Sequence, residues 1–207
     1  MQLTKYEQSG FILETKSGFK LAFDIGTYTP VGKLEGITVD AMLVSHIHGD
    51  HFSLEQIKKL APKKLYLNTE CMEVLGEETL VSEIITVKDG DTIKIDEITV
   101  QLFNVDHGPN VSAPIKENLG FLIKADGETV YFAGDMFYPS GIDVSNLEVD
   151  TALIPVGTHY TFGSEEALAF VKQFKRIGKI ISMHYNKRPE TCEQFVALAK
   201  GAGFNAE

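Results

Sequence analysis

Short apolar runs separated by turn residues dominate the first two thirds of the chain. Residues 11–16 (FILETK) and 19–24 (FKLAFD) flank Ser17-Gly18, which predicts a hairpin. Residues 41–46 (AMLVSH) form a continuous apolar run, the pattern of a strand buried on both faces. Further strand-like runs cover 64–67, 83–87, 91–95 and 97–105, with Asp89-Gly90 and Asp96 between the last three. Residues 119–125 and 129–134 flank Asp126-Gly127, the strongest hairpin dipeptide in the chain. Runs at 151–156 and 179–184 complete the set.

Helical signals fall between these runs. Ser53 and Gln56 have the spacing of a capping box opening a short helix to Leu60, which Pro62 stops. Ser164 precedes Glu165 and Glu166, acids suited to a helix N-terminus. Ala167, Phe170, Val171 and Phe174 follow at helical spacing, a stripe read as core. Thr191 and Gln194 form a second box pattern, with Gly201 or Gly203 ending that helix. Strands interleaved with a few helices imply an α/β protein whose sheets are covered by helices. No linker or internal period divides 1–207, so one domain is expected.

Charge narrows the partners. The chain has 19 basic and 29 acidic residues, a net charge of −10. That argues against nucleic acid or an anionic membrane, which are bound through basic patches. No apolar run approaches the roughly 20 residues of a membrane span. Cys71 and Cys192 are far apart and read as reduced thiols, the pattern of a cytoplasmic protein. A small-molecule substrate is the expected partner.

Three of the six histidines fall within six residues, in HIHGDH. His46, His48, Asp50 and His51 follow the buried run at 41–45 and precede the Ser53 helix. Loops between rigid elements are where scaffolds present functional groups. Alternate residues of an extended segment point the same way, so His46 and His48 can share a metal. Asp50 and His51 follow the Gly49 turn and can face a second position. His107, Asp135, His184 and Asp24 each stand just past another apolar run. Together they suggest several strands ending at one site.

This set resembles the metallo-β-lactamase superfamily, whose HxHxDH loop corresponds to His46, His48, Asp50 and His51. The order continues with His107, Asp135 in a GD step, and His184. The segments VYFAGDM, VGTHYTFGSEEA and MHYN look like the branch of metal-dependent hydrolases that includes ascorbate-phosphate lactonase and N-acylphosphatidylethanolamine phospholipase D. The resemblance implies a four-layer αββα sandwich with metals at one edge. It implies a first metal on His46, His48 and His107, a second on Asp50, His51 and His184, and Asp135 bridging them. Imidazole and carboxylate donors suit zinc, with manganese or iron as alternatives. Asp24 is expected to orient a ligating imidazole rather than ligate.

The expected activity is hydrolysis of an ester, lactone or phosphodiester by a hydroxide shared between two metals. Asp50 is counted with the catalytic groups as well as with the ligands. His159, in GTHYTFG, has two readings: a proton donor or substrate contact, since histidine titrates near neutrality, or a surface or packing residue. Lys187 and Arg188 read as a solvated loop or as holders of a substrate anion. Residues 109–118 read as a long connection or a cleft border. Two rivals stand: a mononuclear iron oxidoreductase on the same fold, and a non-catalytic metal-binding module.

Overall fold

Two six-stranded mixed sheets lie face to face, each covered on its outer side by helices. The computed structural model describes residues 1–108, 115–139 and 142–207. The first sheet holds β1 (Gln2–Lys5), β2 (Phe11–Glu14), β3 (Lys20–Phe23), β4 (Ala41–Leu43), β5 (Lys64–Leu67) and β6 (Glu83–Thr86), in that spatial order. β1 to β3 form an antiparallel meander, and β3 to β6 run parallel. The second sheet holds β7 (Thr92–Ile95), β8 (Ile98–Asn104), β9 (Leu119–Ala125), β10 (Glu128–Phe132), β11 (Glu148–Pro155) and β12 (Arg176–Met183). Its strands β7 to β10 are antiparallel, and β10 to β12 parallel. Parallel neighbours need crossovers. Helices α1 (Leu54–Leu60) and α2 (Thr69–Leu75) supply two in the first sheet, and α3 (Ser164–Val171) supplies one in the second. Helix α4 (Pro189–Gly201) follows β12 and packs on α3. The result is an αββα sandwich.

The continuous apolar runs exist because both faces of each sheet are covered. Phe11 and Leu13 of β2 point between the sheets, while Ile12 packs outward with Ile57 and Leu60 of α1. In β4, Ala41 and Leu43 point inward and Met42 outward. Phe132 of β10 stacks on Phe121 at 5.3 Å and meets Phe23 of the facing sheet edge-on at 5.2 Å. Its neighbour Tyr131 turns the other way, toward Phe174 at 5.1 Å. Period-two alternation thus delivers one aromatic ring to each layer.

Both expected hairpins form. Phe11 pairs with Phe23 across Ser17-Gly18, and Ala125 with Glu128 across Asp126-Gly127. Asp89-Gly90 does something else: the chain there leaves the first sheet at β6 and enters the second at β7. Ser53 does precede α1, but its hydroxyl bonds the Gln56 side chain and caps no backbone group. Thr191 is not a cap. α4 opens earlier, with Pro189 at its first turn, and the buried Thr191 hydroxyl donates to Val156 O at 2.5 Å. β1 and α2 gave no periodic signal: β1 is a half-exposed edge strand, and α2 is a short helix capped by Asn68, which accepts from Cys71 N–H at 2.7 Å. Phe170 and Phe174 lie in the core as read. Among the described residues, no helix is long and apolar enough to cross a membrane.

Removing the central ring tests this packing. Phe132→Ala should lower unfolding free energy by about 3–5 kcal/mol, read as a lower urea midpoint at unchanged slope.

Candidate metal centre

Strands β3 and β4 run parallel, and β8, β10 and β12 of the other sheet all point the same way. Their C-terminal ends meet along one edge of the sandwich, where open α/β sheets place their ligands. Asp24 follows β3, and His46, His48, Asp50 and His51 occupy the loop after β4. His107 follows β8, Asp135 follows β10 and His184 follows β12. Two glycines permit the close approach. A Cβ on Gly26 would fall 2.1 Å from the Asp50 carbonyl carbon, and one on Gly157 2.1 Å from His184 O.

The side chains converge as two groups that share one carboxylate. His46, His48, His107 and Asp135 offer donor atoms mutually within 4.8 Å, and so do Asp50, His51, Asp135 and His184. His46 Nε2 lies 3.0 Å from His48 Nδ1. Asp135 Oδ2 lies 3.4 Å from His107 Nε2 and 4.0 Å from His46 Nε2 on one side. On the other it lies 3.2 Å from His51 Nε2 and 2.8 Å from His184 Nε2. Asp50 Oδ2 is 3.5 Å from His184 Nε2 and 3.7 Å from His51 Nε2. Donors on a tetrahedral ion with bonds of about 2.0–2.1 Å stand about 3.3 Å apart, so these spacings fit one ion per group. The buried atoms His51 Nε2, His107 Nε2 and Asp135 Oδ1 have no hydrogen-bond partner among the described residues. A cation would satisfy such converging lone pairs, which otherwise cost about 1–3 kcal/mol each.

Asp24, fully buried, supports the cluster from behind. Its Oδ1 accepts from Ser45 N–H at 2.8 Å, and its Oδ2 from His51 Nδ1 at 2.7 Å. The Ser45 hydroxyl donates to Oδ2 at 2.5 Å and sits 2.8 Å from His46 Nδ1. With its own proton given to Asp24, the Ser45 oxygen can only accept from His46 Nδ1–H. In its neutral form each imidazole then carries its proton on Nδ1 and aims the Nε2 lone pair at the cluster. Asp24 therefore orients a residue of each group, one directly and one through Ser45.

Burial strongly disfavours charge on His46, with His51 adding to this, so His46 stays in the neutral form that ligates. Burial also works against ionised Asp135, but His184 and His51 outweigh it and hold its carboxyl well below the usual range. His51 and His184 shift the other way: burial opposes it, but Asp135 draws both upward, His184 to about 9, so a divalent ion would displace protons from these two imidazoles on binding.

A cleft of about 810 Å³ opens over this cluster. Tyr28, His159, Tyr160, Lys187, Arg188 and Glu190 stand around its mouth. His159 is exposed on this rim with φ +56°, its ring 4.5 Å from that of Tyr160. Lys187 Nζ stands 5.6 Å from the Tyr28 ring centroid. Residues 109–114 of the segment expected to border the cleft lie outside the described residues. Residues 115–118 do not line it: they are pinned to the start of α2, where Glu70 accepts from Lys116 N–H and Glu117 from Thr69 N–H, each at 2.8 Å. Sequence reasoning passed over Ser45 and Gln8. Ser45 was legible as the polar residue ending an apolar strand run; Gln8 carried no signal, being one polar residue in a turn.

A family profile described as "Beta-lactamase superfamily domain" matches residues 2–184. A protein of Pyrobaculum neutrophilum named a metal-dependent hydrolase is 30% identical over 91% of this chain and 86% of its own length. One of Thermococcus kodakarensis, similarly named, is 28% identical over 84% of this chain and 80% of its own. The solved structure of a metallo hydrolase from Ignicoccus hospitalis superposes with a TM-score of 0.80 at 25% identity, covering 99% of this chain and 93% of that one.

The support network predicts a split. Asp24→Asn should weaken the affinity of both donor groups for a divalent cation such as zinc by about 10–100-fold, because it serves His51 and His46 together. Ser45→Ala should weaken only the position that contains His46. Calorimetric zinc titration of both variants reads this directly.

Proposed function

The chain belongs to the metallo-β-lactamase superfamily, and we propose that it is a dinuclear metal-dependent hydrolase of a small ester, lactone or phosphodiester. The observation that carries this reading is the position of Asp135 Oδ2, within 4.0 Å of donor nitrogens from both groups. One carboxylate oxygen so placed suits a bridge. His46, His48 and His107 would hold one ion, and Asp50, His51 and His184 the other. The hydrolase names of its relatives support the reaction class.

When bound, divalent ions acidify water and polarise the oxygen of a scissile carbonyl or phosphoryl group, at which point no serine or cysteine nucleophile is needed. Zinc is the first choice for three-histidine and two-histidine carboxylate sets, with manganese or iron alternatives. The chain's own groups do the rest. Asp24 and Ser45 hold the proton of neutral His51 and His46 on Nδ1, which leaves Nε2 to ligate. Asp50 contributes its charge at the floor of the cleft. His159 stands on the rim, where it can protonate a departing alkoxide. Lys187 and Arg188 at the mouth can hold a phosphate or carboxylate of the substrate.

Elemental analysis of metal-saturated protein should find two metals per chain. Asp135→Ala should lose both ions; a single iron with redox activity would replace this reading with the oxidoreductase one. His159→Ala should keep both metals and lower kcat by roughly 10²–10⁴-fold on a substrate with a poor leaving group. The loss should shrink on a nitrophenyl ester, whose leaving group needs no proton. Equal losses on both substrates would assign His159 to substrate positioning.

A further inference from the structure

Between β1 and β2 the chain closes a tight turn: Tyr6 N–H donates to Gly10 O at 2.8 Å and Gly10 N–H to Glu7 O at 3.0 Å. Gln8 sits in this turn with φ +58° and 4% exposure. A left-handed backbone costs a non-glycine residue about 1–2 kcal/mol, and a long polar side chain is costly to bury unless it is bonded. Three bonds offset part of this, while Gln8 Oε1 has no hydrogen-bond partner among the described residues. Gln8 Nε2 donates to Asp50 Oδ2 at 2.9 Å. Gln8 N–H donates to Asn186 Oδ1 at 2.7 Å, and Gln8 O accepts from His184 N–H at 3.0 Å.

The direction of the side-chain bond follows from chemistry. Asp50, an ionised carboxylate beside His51 and His184, only accepts, so the amide must present its NH₂ group. Asp50 comes from the loop after β4 in the first sheet, and His184 from the end of β12 in the second. Gln8 is bonded to both at once. It therefore ties together, across the two sheets, the residues whose donor atoms stand 3.5 Å apart at one position. The hydrogen bonds of Gln8 among the described residues run to Asp50, Asn186 and His184.

We infer that Gln8 is a positioning residue for one metal position only, the one formed by Asp50, His51 and His184, through its clamp on Asp50 and His184. This rests on the dinuclear reading above. A group that orients a ligand typically changes metal affinity by about 10–100-fold, so Gln8 would set whether the second ion is held at a given metal concentration.

Gln8→Asn is the sharpest variant. Asparagine tolerates the left-handed region well, so the turn and both backbone bonds persist. Its amide is drawn back by one methylene, about 1.5 Å, out of reach of Asp50. Calorimetric zinc titration should show the second equivalent weakened by about 10–100-fold and the first unchanged. Activity should recover at saturating zinc. Gln8→Met, which keeps the length and volume without the donor, should give the same pattern; the metal-free melting temperature reports whether the shorter side chain of Gln8→Asn loosens the turn. Equal weakening of both equivalents, or of neither, overturns the assignment. A wild-type protein that binds one zinc overturns the dinuclear reading itself. Two zincs in wild type with an unchanged second affinity in Gln8→Asn removes only the role of Gln8.

Discussion

A single buried carboxylate, Asp24, is the constraint on which the rest of the site depends. An imidazole can ligate through a chosen nitrogen only if the other is protonated and held. Asp24 enforces this for His51 directly at 2.7 Å and for His46 through the Ser45 hydroxyl. Burying a carboxylate is unfavourable unless it is fully bonded. Here three donors, Ser45 N–H, Ser45 Oγ–H and His51 Nδ1–H, meet that requirement. The same bonds that make Asp24 tolerable in the interior also order the cluster in front of it.

The sandwich supplies the geometry. Each sheet combines an antiparallel meander with a parallel section, and the ends of the strands that bear the site lie along one edge. The candidate donor groups and their support thus come from both sheets: the HIHGDH loop and Asp24 from the first, His107, Asp135 and His184 from the second. Neither sheet holds a complete donor set alone. The aromatic contacts between them, such as Phe23 on Phe132 at 5.2 Å, are what keep the two halves in register. Close packing transmits small displacements rather than absorbing them, so core packing and donor spacing are coupled. Gly26 and Gly157, where any side chain would strike the backbone of Asp50 or His184, carry that coupling into the loops.

Most strands and the metal-ligand candidates were legible in the sequence because their signals are local. A strand buried on both faces must be apolar throughout, as 41–44 is. A hairpin with two central residues needs positive φ, which Asp126 and Gly127 supply at 54° and 82°. A metal site needs nitrogen and oxygen donors, and few other constraints would place three histidines and an aspartate in six residues. What was missed lacks such a signature. β1 is an edge strand, half exposed, so its residues need not alternate. The true start of α4 at Pro189 was masked by a box pattern at Thr191, whose hydroxyl is used instead to bond Val156 O, just past the end of β11.

The sequence by itself determined which groups can ligate, which runs become strands, that Asp24 stands at a strand end, and that His159 lies between a strand and a helix. Those properties belong to residue types and to neighbours in the chain. Tertiary structure decided which sheet each strand joins, since Asp89-Gly90 reads the same in a hairpin as in a passage between sheets. It decided that Asp135 is shared by two donor groups, that His159 stands on the cleft rim, and that Ser45 and Gln8 serve the site. Each of these depends on distances between segments far apart in the chain. Gln8 meets Asp50 and Asn186, 42 and 178 residues away, and no local pattern encodes a hydrogen bond of that span.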